Sequence, residues 1–361
     1  MITDTTQRPS LGRASARRLA VVAFALPLAL AAAGCGGTEG DADPAAADDT
    51  EESAPVVYPT TTLHLMAPAA PGGGWDTTAR TIQQTLRDAD LVNGHSVEVY
   101  NVEGAAGTLG LAELVTQHEG DAHRLMISGL VMVGGVVTND SAVNLTQTTP
   151  IATLTAEAEV IIVPADSQYE TLEQLVDDFK ADPASVTWGG GSAGGTDHVL
   201  VGLLAKAAGV DPSTITDKYV AYSGGGEVKA GLLSGDLTAA VSGVSEFRDL
   251  VEAGEARALA VSSSAPLDAG ADQPTPTIID AGYDVELMNW RGVVAPPGIG
   301  DAERASIVML IDEMRSSPEW QEVLEQQGWE DFYVNGDEAA TFFQDESARI
   351  TAVLADIGLA E

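Results

Sequence analysis

One cysteine, Cys35, stands in 361 residues, so no disulfide can form within the chain. Positive charge is nearly as scarce. Seventeen Lys and Arg face 54 Asp and Glu, for a formal net charge of −37. Such a surface excludes nucleic acid as a partner, because phosphates require a basic footprint. The five histidines, His64, His95, His118, His123 and His198, lie scattered with no pair at metal-ligand spacing, and no metal or other cofactor is expected. No G-x-x-x-x-G-K-S/T stretch occurs, so no nucleotide triphosphatase is indicated.

What is present begins with an export signal. Residues 1–18 carry Arg8, Arg13, Arg17 and Arg18 against the single acid Asp4, and the apolar run "LAVVAFALPLALAAAGC" follows. Basic, then apolar, then small residues describe a secretory signal peptide over 1–34. Its apolar part is too short and Ala-rich for a good spanning helix. Cys35 at its end resembles a bacterial lipobox, where the cysteine becomes the lipidated first residue; the other reading is an incidental cysteine near a cleavage site. Residues 35–57 are mostly Gly, Ala and acids, cannot bury enough surface to order themselves, and read as a tether. Loss of 1–34, with four Arg and one Asp, would leave a net charge of −40.

From residue 58 onward, short β-rich runs alternate with helical patterns. Strands are expected at 61–68, 96–102, 123–129, 159–165, 185–190, 217–223, 238–243 and 256–262. Helices are expected at 75–88, 107–118, 171–181, 196–208, 226–234, 245–253, 301–315, 318–327 and 337–358. The alternation predicts an α/β fold of parallel sheets covered by helices.

Glycine-rich loops recur where a strand hands over to a helix: Gly72–Gly74, Gly189–Gly195 and Gly224–Gly226. In open α/β sheets ligands bind outside the carboxyl ends of strands, and exposed helix-start N–H groups form a natural anion site. Local dipoles of this kind can hold an anion on a protein of negative net charge, because screening limits distant acids to about a Debye length, roughly 8 Å at physiological salt. "GGWDTTA" (73–79) and "GGTDHVL" (194–200) echo each other, by chance or as two facing loops of one cleft.

"GGGSAGGTDH" (189–198) satisfies two enzyme patterns. Gly189, Gly191 and Gly194 make G-x-G-x-x-G, but mid-chain in an exported protein this is weak support for a dinucleotide. Gly190, Ser192 and Gly194 make the G-x-S-x-G elbow, but its histidine base must follow, and only His198, six residues on, does. No catalytic residue is therefore expected. Small hydroxyls flank the loops (Thr77, Ser128, Ser192, Thr196, Ser223 and Ser242), and such donors suit a small carboxylate bound reversibly. Asp76 and Asp197 are either helix-start acids favoured by the dipole or acceptors for the ligand. Trp75 and Tyr222 either close over the ligand or pack. The acids Glu157 and Glu159 lie on a strand-like run and are expected to be solvated.

At these residues the chain resembles the substrate-binding proteins of tripartite tricarboxylate transporters, the Bug/TctC family. Pro71, Gly73, Gly74, Asp76, Ala79 and Arg80 match the family's first signature. Asn101, Gly104, Ala105, Gly107 and Gly110 match a second, and Gly191, Ser192, Gly194, His198, Leu203 and Leu204 a third. Residues 220–243 and 276–298 resemble later segments, with Ala221 where the family usually has Pro and Trp75 bulky in the first loop. The resemblance implies a two-lobed type II periplasmic-binding fold that closes by hinge motion on a small di- or tricarboxylate, held mainly by backbone groups. It places lobe 1 at 58–155 plus 264–361 and lobe 2 at 156–263. Carried over by position, the ligand would meet Pro71, Gly72, Gly73, Gly74, Trp75, Asp76, Ser128, Gly191, Ser192, Gly194, Thr196, Asp197, Tyr222, Ser223, Gly224 and Gly225. The implied partners are that ligand, the permease subunits of such a transporter, and the outer face of the bacterial cytoplasmic membrane through a lipid at Cys35. A ligand-sensing or adhesion lipoprotein on the same fold is the competing reading.

Overall fold

The computed structural model describes residues 57–222 and 224–360. The expected signal peptide, Cys35, nearly all of the tether and Ser223 lie outside the described residues.

Strand β1 (Leu63–Ala67) leads into helix α1 (Gly74–Asp88), β2 (Val97–Asn101) into α2 (Thr108–Gln117), and β3 (Arg124–Gly129) into α3 (Leu130–Thr138). β1 pairs in parallel with β2 and β3. Then comes β4 (Thr149–Pro164), 16 residues long and buried nearly throughout. Beyond it run α4 (Leu172–Ala181), β5 (Trp188–Gly190), α5 (Thr196–Ala208), β6 (Tyr219–Ala221), α6 (Gly225–Leu233), β7 (Ala239–Gly243), α7 (Val244–Glu252) and β8 (Ala256–Val261). The chain closes with β9 (Met288–Ala295), α8 (Asp301–Ser316), α9 (Pro318–Gln327), the short β10 (Glu330–Asp331) and α10 (Gly336–Asp356).

β4 changes partners midway. Thr149–Ala158 runs antiparallel to β9, which carries β3, β1 and β2 beyond it. Glu159–Pro164 runs antiparallel to β7 and β8, with β5 and β6 beyond β7. Each half-sheet therefore has a parallel set of three strands, as expected, but the set is joined to its neighbour by antiparallel strands that the alternation of elements did not reveal. The half-sheets do not part into separate bodies, since residues 52–361 form one compact unit.

Where the chain crosses between half-sheets, the crossings are laced together. The Ser262 N–H donates to the Glu159 carbonyl (2.9 Å) and its hydroxyl receives the Glu159 N–H (2.9 Å). The same hydroxyl donates to the Leu287 carbonyl (2.5 Å). Consecutive side chains of β4 feed different cores: Ile161 and Val163 join the large one, Val160 and Ile162 a smaller one beneath α6 and α7. That is the period-2 alternation of a strand covered on both faces.

Helix α3, "LVMVGGVVT", was not expected. Its β-branched residues favour strand by propensity, and tertiary packing overrides this. Both glycines are needed at close approaches. A Cβ on Gly135 would lie 2.6 Å from the Ala106 Cβ, and one on Gly134 would overlap the carbonyl oxygen of Gly194 in the opposite half-sheet. α10 packs on α3 and β4, and just past its end Ile357 lies against Gly202 of α5, beside an Asp356–Lys206 ion pair.

Gly134→Val is expected to force the 191–195 loop off α3. Small-angle scattering should show a larger radius of gyration for the variant; an unchanged radius would mean that the contact yields without moving the half-sheets apart.

Candidate functional site

The first glycine loop is built around Asp76. This buried carboxylate accepts the Gly72 N–H (2.8 Å) and the Arg80 Nε–H (2.9 Å) on Oδ2, and Asn101 Nδ2 (2.9 Å) on Oδ1. Asn101 also donates to the Ala69 carbonyl at 2.9 Å. Burial raises the Asp76 pKa, but the bonds from Arg80, Gly72 and Asn101 outweigh it and hold the carboxyl below its ordinary value. Asp76 therefore spends its lone pairs inside the chain, fixing loop 69–73 to α1 and β2. Gly72 has φ +86°, in the left-handed region. Gly73 is the N-cap of α1 and brings no side chain to it, so the N–H groups of that first turn lack a side-chain acceptor. Pro71 is exposed. The Trp75 ring packs in the core, 2.6 Å from where a Gly107 Cβ would be. Ser128, at the end of β3, is buried with no hydrogen-bond partner for its hydroxyl.

The second loop is held in the same manner. Gly191 N–H donates to Asp197 Oδ2, Gly194 N–H to His198 Nδ1 (3.2 Å), and the Tyr219 hydroxyl to the Gly191 carbonyl (2.9 Å). His198 stacks on Tyr219 with ring centres 4.0 Å apart. Burial pushes the His198 pKa down to about 4, so the ring is neutral at physiological pH. Gly195 caps α5 and Gly224 caps α6, again without side-chain caps. Thr196 is buried with an unpartnered hydroxyl, and Ser192 is half-buried. Tyr222 is half-buried, its hydroxyl lying over Gly231 of α6 and its ring on the smaller core.

Between the loops lies a set of buried charges. Arg291 of β9 sits against the start of α1, its Nη2 2.7 Å from the position of a Gly74 Cβ. Arg291 and Glu157 are 3.5 Å apart and only 8% and 3% exposed. Glu157 Oε1 accepts the Ser245 N–H (2.8 Å) at the start of α7. Glu246 accepts the Ser242 hydroxyl (3.0 Å) and lies over Gly225. Glu159 is fully buried, and among the described residues neither of its oxygens meets a donor. Burial raises the Glu159 pKa well above the ordinary value, with Asp197, Glu157 and Glu246 adding to the effect. Asp197 is pushed up to about 6 by burial, against the pull of its Gly191 bond. Glu159 and Asp197 act on each other, the interaction raising the pKa of Glu159 and lowering that of Asp197. Among the described residues, no group of three or more His, Cys, Asp or Glu is arranged to hold a metal ion.

The expectation that Glu157 and Glu159 are solvated is thus corrected. Alternating acids usually mark a wet strand face, but β4 lies at the junction and has both faces covered. Arg291, Glu157, Glu159, Glu246 and Tyr219 escaped sequence reasoning. The available signal was charge inside apolar strand runs, "TAEAEVIIV" and "MNWRGVVA".

The family model described as "Tripartite tricarboxylate transporter family receptor" matches residues 78–359. The chain belongs to this family. Among its relatives, BugT of Bordetella pertussis is 26% identical over 330 residues, covering 89% of this chain and 94% of its own. A UPF0065 protein of Agrobacterium vitis is 29% identical over 243 residues, covering 66% and 67%. Among solved structures, an R. palustris protein with adipate superposes at TM-score 0.72 with 22% identity, covering 84% of this chain and 99% of its own. MatC of Rhodopseudomonas palustris, with bound malate, gives 0.68 with 21% identity, covering 82% and 100%. The two-lobed periplasmic-binding fold of this receptor family is therefore the fold of the chain.

The raised carboxyls set a pH dependence. Between the ordinary carboxyl range near pH 4 and the raised native values, the folded state keeps protons that the unfolded chain has released, so stability falls as pH rises through that window. Asp76 acts oppositely, its contribution fading only as pH drops below about 4. Glu159→Gln should therefore melt higher than wild type at pH 8 and close to it at pH 5. Equal melting curves at pH 8 would show that burial does not hold the Glu159 carboxyl above its ordinary pKa.

Proposed function

We propose that this receptor captures a small di- or tricarboxylate in the cleft between two lobes and delivers it to the permease of a tripartite tricarboxylate transporter. Lobe 1 would comprise 58–155 plus 264–361 and lobe 2 156–263, in keeping with the partner change on β4. The observation that carries the reading is the convergence of helix starts without side-chain caps. α1 and α3 from one half-sheet, and α5 and α6 from the other, each begin at a glycine at the carboxyl end of a strand. Four dipoles of one sign directed at one junction favour an anion. The malate and adipate of the two solved relatives belong to the same chemical class.

An enzyme is disfavoured by the state of His198. Its Nδ1 is taken by Gly194 and its ring by Tyr219, which leaves Ser192 without a base. The protein would be exported and held at the outer face of the cytoplasmic membrane by a lipid on Cys35, with 35–57 as leash.

A thermal-shift series with succinate, malate, adipate and citrate tests the binding, with the matching amides as uncharged controls. A ligand at a hundred times its Kd adds about 2.7 kcal/mol, so a clear rise with one carboxylate and none with its amide is expected. No rise with any of them up to millimolar concentration would overturn the reading. Separately, Cys35→Ser should move the protein from the membrane fraction to the soluble fraction without altering that shift.

A further inference from the structure

Arg291 is a buried guanidinium with almost nothing to do. It has five N–H donors in a plane, yet among the described residues its contacts are one ion pair, Nη2 to Glu157 Oε2 at 3.5 Å, and the Trp329 ring 5.4 Å away. The ion pair is too long for a good hydrogen bond. A buried cation with unspent donors is costly unless a partner completes it. Its surroundings point to what that partner is. The guanidinium lies against Gly74, where the first turn of α1 has no side-chain cap. Thr155, paired with Arg291 across β4 and β9 and so on the same face of the sheet, carries a buried hydroxyl without a partner among the described residues. The start of α1 and the Thr155 hydroxyl thus lie on the Arg291 side, and among the described residues the one carboxylate paired with this arginine is Glu157.

We propose that Arg291 is the clamp for a carboxylate of the ligand, and that Glu157 occupies it as an internal stand-in until the ligand arrives. This rests on the carboxylate reading above and adds to it a charged, side-chain determinant. Among the described residues, the exchange leaves Glu157 with one of its two polar contacts. Glu157 keeps the Ser245 N–H (2.8 Å) after giving up the guanidinium, while the incoming carboxylate gains a planar fork matched to its two oxygens. Among the described residues none of Glu159, Asp197 and Glu246 is paired with Arg291.

Glu157 as a stand-in has a signature that a purely structural ion pair lacks. Removing its charge should free Arg291, so Glu157→Gln is expected to bind the carboxylate several-fold more tightly than wild type. Calorimetric titration with succinate, malate, adipate and citrate would compare wild type, E157Q, R291K and the double variant E157Q/R291Q. The double variant avoids leaving a lone buried carboxylate, and melting curves verify that it folds. It should bind about tenfold or more weakly than E157Q, the size of one charged hydrogen bond. R291K, keeping the charge without the fork, should fall between. A double variant within twofold of wild type, or an E157Q that binds more weakly than wild type, would overturn the clamp and leave the carboxylate reading standing. Wild type that binds none of the four acids would overturn that reading, and the clamp with it.

Discussion

The partner change on β4 is the constraint on which the rest of the molecule depends. One strand with two sets of neighbours must be covered on both faces and along its whole length, and this dictates what surrounds it. The two cores, the lacing through Ser262 and the approach of α3 to the 191–195 loop all follow from two half-sheets sharing a backbone. Helices α1 and α3 of one half-sheet, and α5 and α6 of the other, each begin after the carboxyl end of a strand of its parallel set.

The placement of charge follows from the same geometry. A chain of net charge −37 gains nothing by burying more acid, yet several carboxyl groups lie at the junction. Most of them work locally. Asp76 and Asp197 tie down the glycine loops, and Glu157 holds a helix start and an arginine. Glycine loops need such ties, because a backbone free to take many conformations must be fixed before it can present N–H groups in one direction. A negative net charge and the positive dipole end of a helix can coexist because they act over different distances.

Much of this was legible in the sequence. The helices at 171–181, 196–208 and 318–327 lie within one residue of their expected bounds, because their apolar spacing and flanking residues agree with their packing. The glycine loops were legible for a similar reason: tight turns leave a compositional mark. Three features were not. The first half of β4 is rich in Thr and Ala with a single Glu, which signals a wet strand or none, and only the neighbouring β9 explains it. α3 carried no expected element, because β-branched residues and two glycines weaken a helix locally and the glycines answer to contacts outside the segment. The buried Arg291–Glu157 pair joins residues 134 positions apart, and no local pattern records such a match.

The end of α10 has a mechanical meaning. Two adjacent crossings, laced at Ser262, leave the half-sheets one soft direction, a rotation about the line through β4. The seat of Ile357 on Gly202 ties the end of α10 to α5, a second link besides the crossings that would oppose such a rotation. A joint with an axis alone swings freely. With a doorstop it has a rest position, and the tail of this chain supplies the doorstop.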